Sequence, residues 1–385
     1  MTSITDGNGM KIGIITFWQS KENYGQILQS FALQEYLRKQ GHQPTLIRYR
    51  DTKKSEPSFR FTRVFGYLKK FPVYVKWFIS EKRRKRHEDR YKRAMADVDR
   101  KFSEFMEKYI TYTDEVYTET SIIANPPAFD AYICGSDQIW GGDAPYYLNF
   151  VPEGKPRIAY APSLGGLKSF AAEYETMMSD LLSLFDFIGM REQSGVDTCH
   201  RLGRKDAVKV VDPTLLLKRE DYDKLRPSEF TDRPQSSPYM LAYILGNPME
   251  CDIVEIVEYA RLLDLPLKYV TSSGQTDKYP HIYPTPGEWI DLIANASIVI
   301  TNSFHGTVFS LIYHRPFITI PLNRGYERMN TRIDELLSES NLSSRVYRGS
   351  LQEIGAEPVD FSSFDRYQAS QEHFSTSKLF PILSR

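Results

Sequence analysis

The sequence predicts an α/β protein built from two Rossmann-like domains that face each other across a cleft. Three observations carry that prediction. Short apolar runs bounded by small polar residues alternate with helical stretches in both halves of the chain. A polar segment at residues 219–238, holding Pro227, Pro234 and Pro238, separates the halves as a linker. The length, 385 residues, also exceeds what one hydrophobic core usually supports.

Taken in order, residues 11–17 form a buried-strand pattern. Asn23-Tyr24-Gly25-Gln26 then leads into a helix expected over 27–40, stopped by Gly41, and residues 44–49 give the next strand. This opening lacks the G-x-G-x-x-G of a dinucleotide site. Residues 51–110 break the composition with 18 Lys or Arg against 9 Asp or Glu, and aromatics such as Phe61, Tyr67, Tyr74 and Trp77 interleave with the charge. Such an insertion reads as an interfacial helix on anionic lipid, or as a solvated helical excursion packed on its domain.

Strands follow at 128–134, 155–160, 187–190 and 208–211, and close a first domain at 1–218. The second domain, 239–350, repeats the alternation: a strand at 239–245, a helix at 251–263, a strand at 267–271, and then the run 297–320. That run spells strand, turn, helix and strand. The tail, 351–385, carries a helix over 361–379 that is expected to return to the first domain.

Composition narrows the function classes. Apolar residues make up 41% and charged residues 25%, the balance of a soluble globular chain. Forty-nine basic residues match 49 acidic ones, which argues against a general nucleic-acid binder. Cys134, Cys199 and Cys251 are far apart, with no C-x-x-C spacing, so reduced thiols are expected and no zinc site. Residues 1–7 lack the basic head and apolar core of a secretion signal, and no run approaches the roughly 18 apolar residues that cross a bilayer. A cytoplasmic location follows as an expectation, extending at most to the inner face of the cell membrane.

Ligands of open parallel sheets bind at the carboxyl ends of strands. His305, in the turn Thr301-Asn302-Ser303-Phe304-His305-Gly306-Thr307, sits at such an end. A helix starting there aims free N–H groups at an anion, although Ser303 or Thr307 also reads as a plain N-cap. In Gly135-Ser136-Asp137-Gln138-Ile139-Trp140, Asp137 is placed to accept a hydroxyl proton or to cap a turn. Ser163 lies in the next strand-end loop. Arg191, at the end of 187–190, suits a carboxylate or phosphate through its bidentate guanidinium, or forms an ordinary salt bridge with Glu192 or a neighbour.

Residues 10–50, 132–140, 161–165, 188–195, 211–217 and 301–320 together resemble polysaccharide pyruvyl transferases. The resemblance implies a GT-B type fold, phosphoenolpyruvate as donor and co-substrate, and a sugar acceptor of a polysaccharide or polyprenyl-linked precursor that receives a cyclic pyruvate ketal. The pyruvyl-transfer chemistry requires no metal or further cofactor, and no ligand cluster in the sequence demands one. The resemblance places His305 on a donor-site histidine and Arg191 on a first-domain arginine, with Ser303, Phe304, Gly306 and Thr307 around the donor. Asn23, Tyr24, Ser136, Trp140 and Ser163 are the expected substrate contacts of the first domain. Family members carry an arginine where this chain has Ser303. Arg328 and Arg332 are the candidates to replace it, ahead of Arg315. His305 and Asp137 are the acid-base candidates, His305 as proton donor and either as base. A nucleotide-sugar glycosyltransferase and a non-catalytic glycan-binding relative are the alternatives.

Overall fold

A computed structural model describes residues 9–19, 22–50, 89, 98–141, 143–167, 170–228, 237–246, 248–271 and 277–383. Apart from Asp89, residues 51–97 of the basic insertion lie outside the described residues, and the interfacial-helix expectation lies there with them.

Eleven described strands form two wholly parallel sheets. The first holds β1 (Lys11–Ile15), β2 (Gln43–Tyr49), β3 (Tyr112–Tyr117), β4 (Ala131–Cys134), β5 (Arg157–Tyr160), β6 (Phe187–Met190) and β7 (Val208–Lys209), in the order β3-β2-β1-β4-β5-β6-β7. The second holds β8 (Met240–Ile244), β9 (Leu267–Thr271), β10 (Ile298–Thr301) and β11 (Phe317–Thr319), in the order β11-β10-β8-β9. Helices fill the connections: α1 (Tyr24–Lys39), α2 (Phe102–Tyr109), α3 (Glu119–Ala124), α4 (Ala172–Leu182), α5 (Gln193–Arg201), α6 (Arg219–Asp223), α7 (Ile253–Leu262), α8 (Pro286–Asn295), α9 (Phe304–Ile312), α10 (Thr331–Glu339), α11 (Leu351–Ala356) and α12 (Ser362–Leu383). This is the two-domain α/β architecture that the alternation predicts.

Each sheet has one place where the strand order reverses, and there a crevice opens at the carboxyl ends. In the first sheet it falls between β1 and β4, in the second between β8 and β10. Asp137 follows β4 and His305 follows β10, so both sit at switch points.

The sequence expectation departs from the structure in four places. α1 begins at Tyr24 rather than Ile27, because Asn23 caps it through Oδ1 and draws Tyr24, Gly25 and Gln26 into the first turn. β3 has no apolar run to announce it, since it is an edge strand with half of its residues exposed and one buried. The expected linker contains α6, whose Tyr222 is buried against Phe309 at 4.8 Å between ring centroids. Residues 351–356 of the expected tail form α11, whose Leu351 and Ile354 join the second domain's core.

One apolar cluster runs through both domains, from Ile12 and Leu28 past Tyr222 to Trp289 and Phe309. α12 leaves the second domain and lies on the first, where Tyr36 Oη meets Thr376 Oγ1 at 2.5 Å and Gln368 Nε2 donates to Leu215 O at 3.1 Å. Among the described residues no helix is long and apolar enough to cross a membrane.

Candidate active site

Two strand-end turns meet in the cleft. In the turn after β10, Thr301 Oγ1 donates to Tyr243 O (2.7 Å) and accepts from Ser303 N (3.1 Å). Asn302 exchanges two hydrogen bonds with the Leu245 backbone (2.7 and 2.9 Å), and Ser303 Oγ caps α9 by accepting from Gly306 N (3.3 Å). Such a cap is worth about 1 kcal/mol; with its neighbours it fixes the first turn of α9, from which His305 projects. Opposite lies the start of α1. A Cβ on Gly25 would stand 2.0 Å from His305 Nδ1, so only glycine fits there. The amino end of α1, with its partial positive charge, abuts the imidazole.

Charge comes from neighbouring strand ends. Asp212, after β7, is fully buried and acts as the hub. Its Oδ1 accepts from Thr214 N (3.0 Å) and Thr214 Oγ1 (2.7 Å), and its Oδ2 accepts from Arg191 Nη1 (2.9 Å) and Ser136 Oγ (3.3 Å). The same Oδ2 lies 3.9 Å from His305 Nε2. Glu192, also buried, accepts from Ser163 Oγ at 2.5 Å and stands 3.6 Å from Arg191 Nε. Arg191 therefore faces two carboxylates, yet among the described residues its Nε and Nη2 make no hydrogen bond, and neither does His305 Nε2. Leaving buried polar atoms unpaired costs about 1 to 3 kcal/mol each. Three around one point mark where a ligand's polar atoms belong.

Burial alone would raise the Asp212 carboxyl, but His305, Arg191 and the Thr214 donors hold it down to about 2. Burial dominates at His305 and lowers it to about 4, with Arg191 and Arg332 adding to the effect and Asp212 and Asp137 opposing it. The protein's own groups thus leave the imidazole neutral at pH 7, and an anion beside it would raise it. A crevice of about 20 Å³, lined by Arg191, Asp212, Phe304 and Arg332 among others, opens behind the hub. It accommodates an oxygen or two, not a whole donor. Among the described residues no group of three or more His, Cys, Asp or Glu could hold a metal ion.

A family model for polysaccharide pyruvyl transferases matches residues 23–324. The chain belongs to that family. A search among curated proteins found no match. Among solved structures, the pyruvyl transferase is loosely similar to two UDP-GlcNAc 2-epimerases. The one from Methanocaldococcus jannaschii has TM-score 0.48 and 12% identity, covering 94% of this chain and 100% of that one. The one from Neisseria meningitidis has TM-score 0.48 and 10% identity, covering 95% and 94%. The glycosyltransferase SnogD from Streptomyces nogalater follows at 0.41 and 13%, covering 97% and 99%.

Not every expected contact of this pyruvyl transferase reaches the cleft. Trp140 is fully buried, stacks on Tyr147 at 5.0 Å and donates to Tyr146 O, so it is a core residue. Thr307 spends its hydroxyl on Ser303 O (3.1 Å) and Thr319 Oγ1 (2.9 Å) and holds α9 to β11. Asn23 is spent as the α1 cap. Tyr24 is buried, donates to Pro284 O (2.6 Å) and accepts from Arg100 Nη2 (2.6 Å), so it joins the domains instead of touching substrate. Gly306 serves packing, since a Cβ there would lie 2.4 Å from Thr301 Oγ1. Arg328 is exposed, and none of its described side-chain contacts reaches the cluster. Ser303 caps α9, while Ser136 and Ser163 hold the carboxylates of Asp212 and Glu192.

His305, Arg191, Phe304 and Arg332 do converge, with half-buried Asp137 at the rim, its backbone at φ +78°. Sequence reasoning missed Asp212, Glu192 and Gly25 as parts of the site. The strand-end rule that marked Asp137 also applies to Asp212, and that was the available signal.

Proposed function

We propose that this transferase moves the pyruvyl group of phosphoenolpyruvate onto a sugar of a polysaccharide or lipid-linked precursor, as a cyclic ketal with release of phosphate. The single observation that carries the reading is the meeting of His305 with Arg191 across the cleft, Arg191 buried and the His305 side chain 13% exposed, both with polar atoms left unpaired among the described residues. The chemistry needs a proton donor beside an anion clamp. His305 delivers a proton to C3, which leaves C2 electrophilic. One sugar hydroxyl adds to C2 and passes its proton to the returned imidazole or to Asp137. The C2–O bond to phosphorus then breaks, and the second hydroxyl adds at C2 as its proton leaves with phosphate.

The test is the mass and linkage of the product from phosphoenolpyruvate and candidate lipid-linked oligosaccharides. A gain of one pyruvyl ketal is expected; a hexose gained from a nucleotide sugar overturns the reading.

A pH dependence follows from the depressed histidine. The imidazolium is the acid form, and above about pH 4 its share in the free enzyme falls about tenfold per unit. After allowance for the donor's own ionisation, log kcat/KM for the donor should fall with slope near −1 between about pH 5 and 8. The profile of kcat should break at higher pH, because the bound anion raises the imidazole. A flat kcat/KM profile over that range would rule out His305 as the acid.

A further inference from the structure

Helix α5 does not cap itself. Its N-cap residue, Glu192, makes no capping bond with its side chain, because that carboxylate accepts from Ser163 Oγ and stands 3.6 Å from Arg191 Nε. The cap comes from the other domain. Glu335, on α10, accepts from Gln193 N through both of its oxygens, at 3.3 and 3.2 Å. A carboxylate there satisfies a free N–H and meets the positive end of the helix dipole.

The same carboxylate reaches a second point on the first domain. Lys209 Nζ, on edge strand β7, lies 2.8 Å from Glu335 Oε2 and 2.6 Å from Glu339 Oε1. Glu335 and Glu339 stand one turn apart on α10, so one face of the helix carries both. Burial works against the Lys209 ammonium, but the two carboxylates outweigh it and raise it. On the far side Tyr367 of α12 meets Glu339, and burial and that charge keep its hydroxyl protonated.

These links differ in kind from the other contacts between the domains. Lys209, Glu335 and Glu339 keep side-chain exposures of 21%, 22% and 39%, so water and salt reach them. Around α1 the domains meet through rings instead: Tyr24 stacks on Trp289 at 5.1 Å and meets Tyr243 edge-on at 5.9 Å, all three buried. Partly wet ion pairs part at small cost and weaken with salt, whereas buried rings do not.

We infer that Glu335, Glu339 and Lys209 form a latch between the domains, the contact that gives when the cleft opens while the rings around Tyr24 stay in place. All three are positioning residues. They act through α5, which starts directly after Arg191-Glu192, and through α10, so they hold the two walls of the cleft in register without touching the reacting atoms. The latch would serve any substrate of the cleft, and so stands apart from the functional reading above.

The experiment follows hydrogen–deuterium exchange of the full-length protein without substrate, at about 0.05 and about 1 M sodium chloride, on peptides covering residues 191–196. Peptides around Trp289 are the internal reference, and hydroxyl-radical labelling of Phe304, a buried ring beside Arg191, reports the cleft separately. Wild type, Lys209→Met and Lys209→Arg are compared, with melting curves to establish that each is folded. High salt should speed exchange at 191–196 in wild type about 3- to 10-fold and raise Phe304 labelling with it, while the reference holds. Lys209→Met should show the faster exchange already at low salt and lose the salt response; Lys209→Arg, which keeps the charge, should restore both. Wild-type exchange that ignores salt overturns the latch. So does a Lys209→Met protein with the wild-type salt response, or a Lys209→Arg protein that behaves like it. Faster exchange at 191–196 with Phe304 labelling unchanged also overturns it, because that pattern is fraying of α5 alone. No substrate is present, so the outcome is independent of which reaction the cleft performs.

Discussion

Replacing His305 with Ala is expected to lower kcat by about 10²- to 10⁴-fold while leaving the protein folded. The factor is what a positioned proton donor usually contributes, and it corresponds to roughly 3 to 5 kcal/mol of barrier. The fold should survive because His305 Nε2 makes no hydrogen bond among the described residues, so its removal orphans no partner there. Asp212 keeps Arg191, Ser136 and Thr214. Gly25, which gives the imidazole its room, would then face a small cavity. Steady-state turnover with a melting curve on the same preparation checks both halves. Full turnover in the variant would remove His305 from the chemistry. A collapsed melting temperature would instead assign His305 to the core.

Much of the fold was legible because both faces of both sheets are covered. Their inner strands are short apolar runs such as Ile298-Val299-Ile300, and the turns between them are marked by Gly, Pro and small polar residues. β3 was not legible, because an exposed edge strand has no apolar signature. At the site, His305 and Arg191 were readable from position alone: each follows a buried strand, and strand ends are where such sheets bind ligands. Asp212 obeys the same rule, but Val210-Val211-Asp212-Pro213-Thr214 also spells an ordinary proline turn. Only the approach of β4, β6 and β7 in space reveals that three strand ends share one carboxylate. Trp140 and Thr307 fail for the reverse reason. They sit beside the right turns, yet their side chains point into the core, and sequence spacing does not fix that direction. Arg332 and Arg328 are one turn apart in a charged stretch. The first lies under α9 and the second in the exposed 3-10 turn before α10.

Arg191 supports both the fold and the donor, and two substitutions should separate those roles. In Arg191→Ala, Asp212 loses its ion-pair partner at 2.9 Å while remaining fully buried, and breaking a buried pair in this way costs about 3 to 5 kcal/mol. That is a large share of a typical domain's stability, so the alanine protein should melt many degrees lower, and its kinetics would report damage as well as chemistry. Arg191→Lys keeps a positive charge that can reach Asp212 but loses Nε and Nη2, the two nitrogens left unpaired in the cleft. Its stability should stay within about 1 to 2 kcal/mol of wild type. Its donor KM should rise about 10- to 100-fold, the worth of one or two charge-assisted hydrogen bonds. kcat should change less, because His305 is untouched. Denaturant melts and donor saturation curves on the two variants give the comparison. If the lysine protein binds donor as well as wild type, Arg191 is only a structural partner of Asp212 and Glu192. The anion clamp must then be sought among the other cations of the cleft, beginning with Arg332.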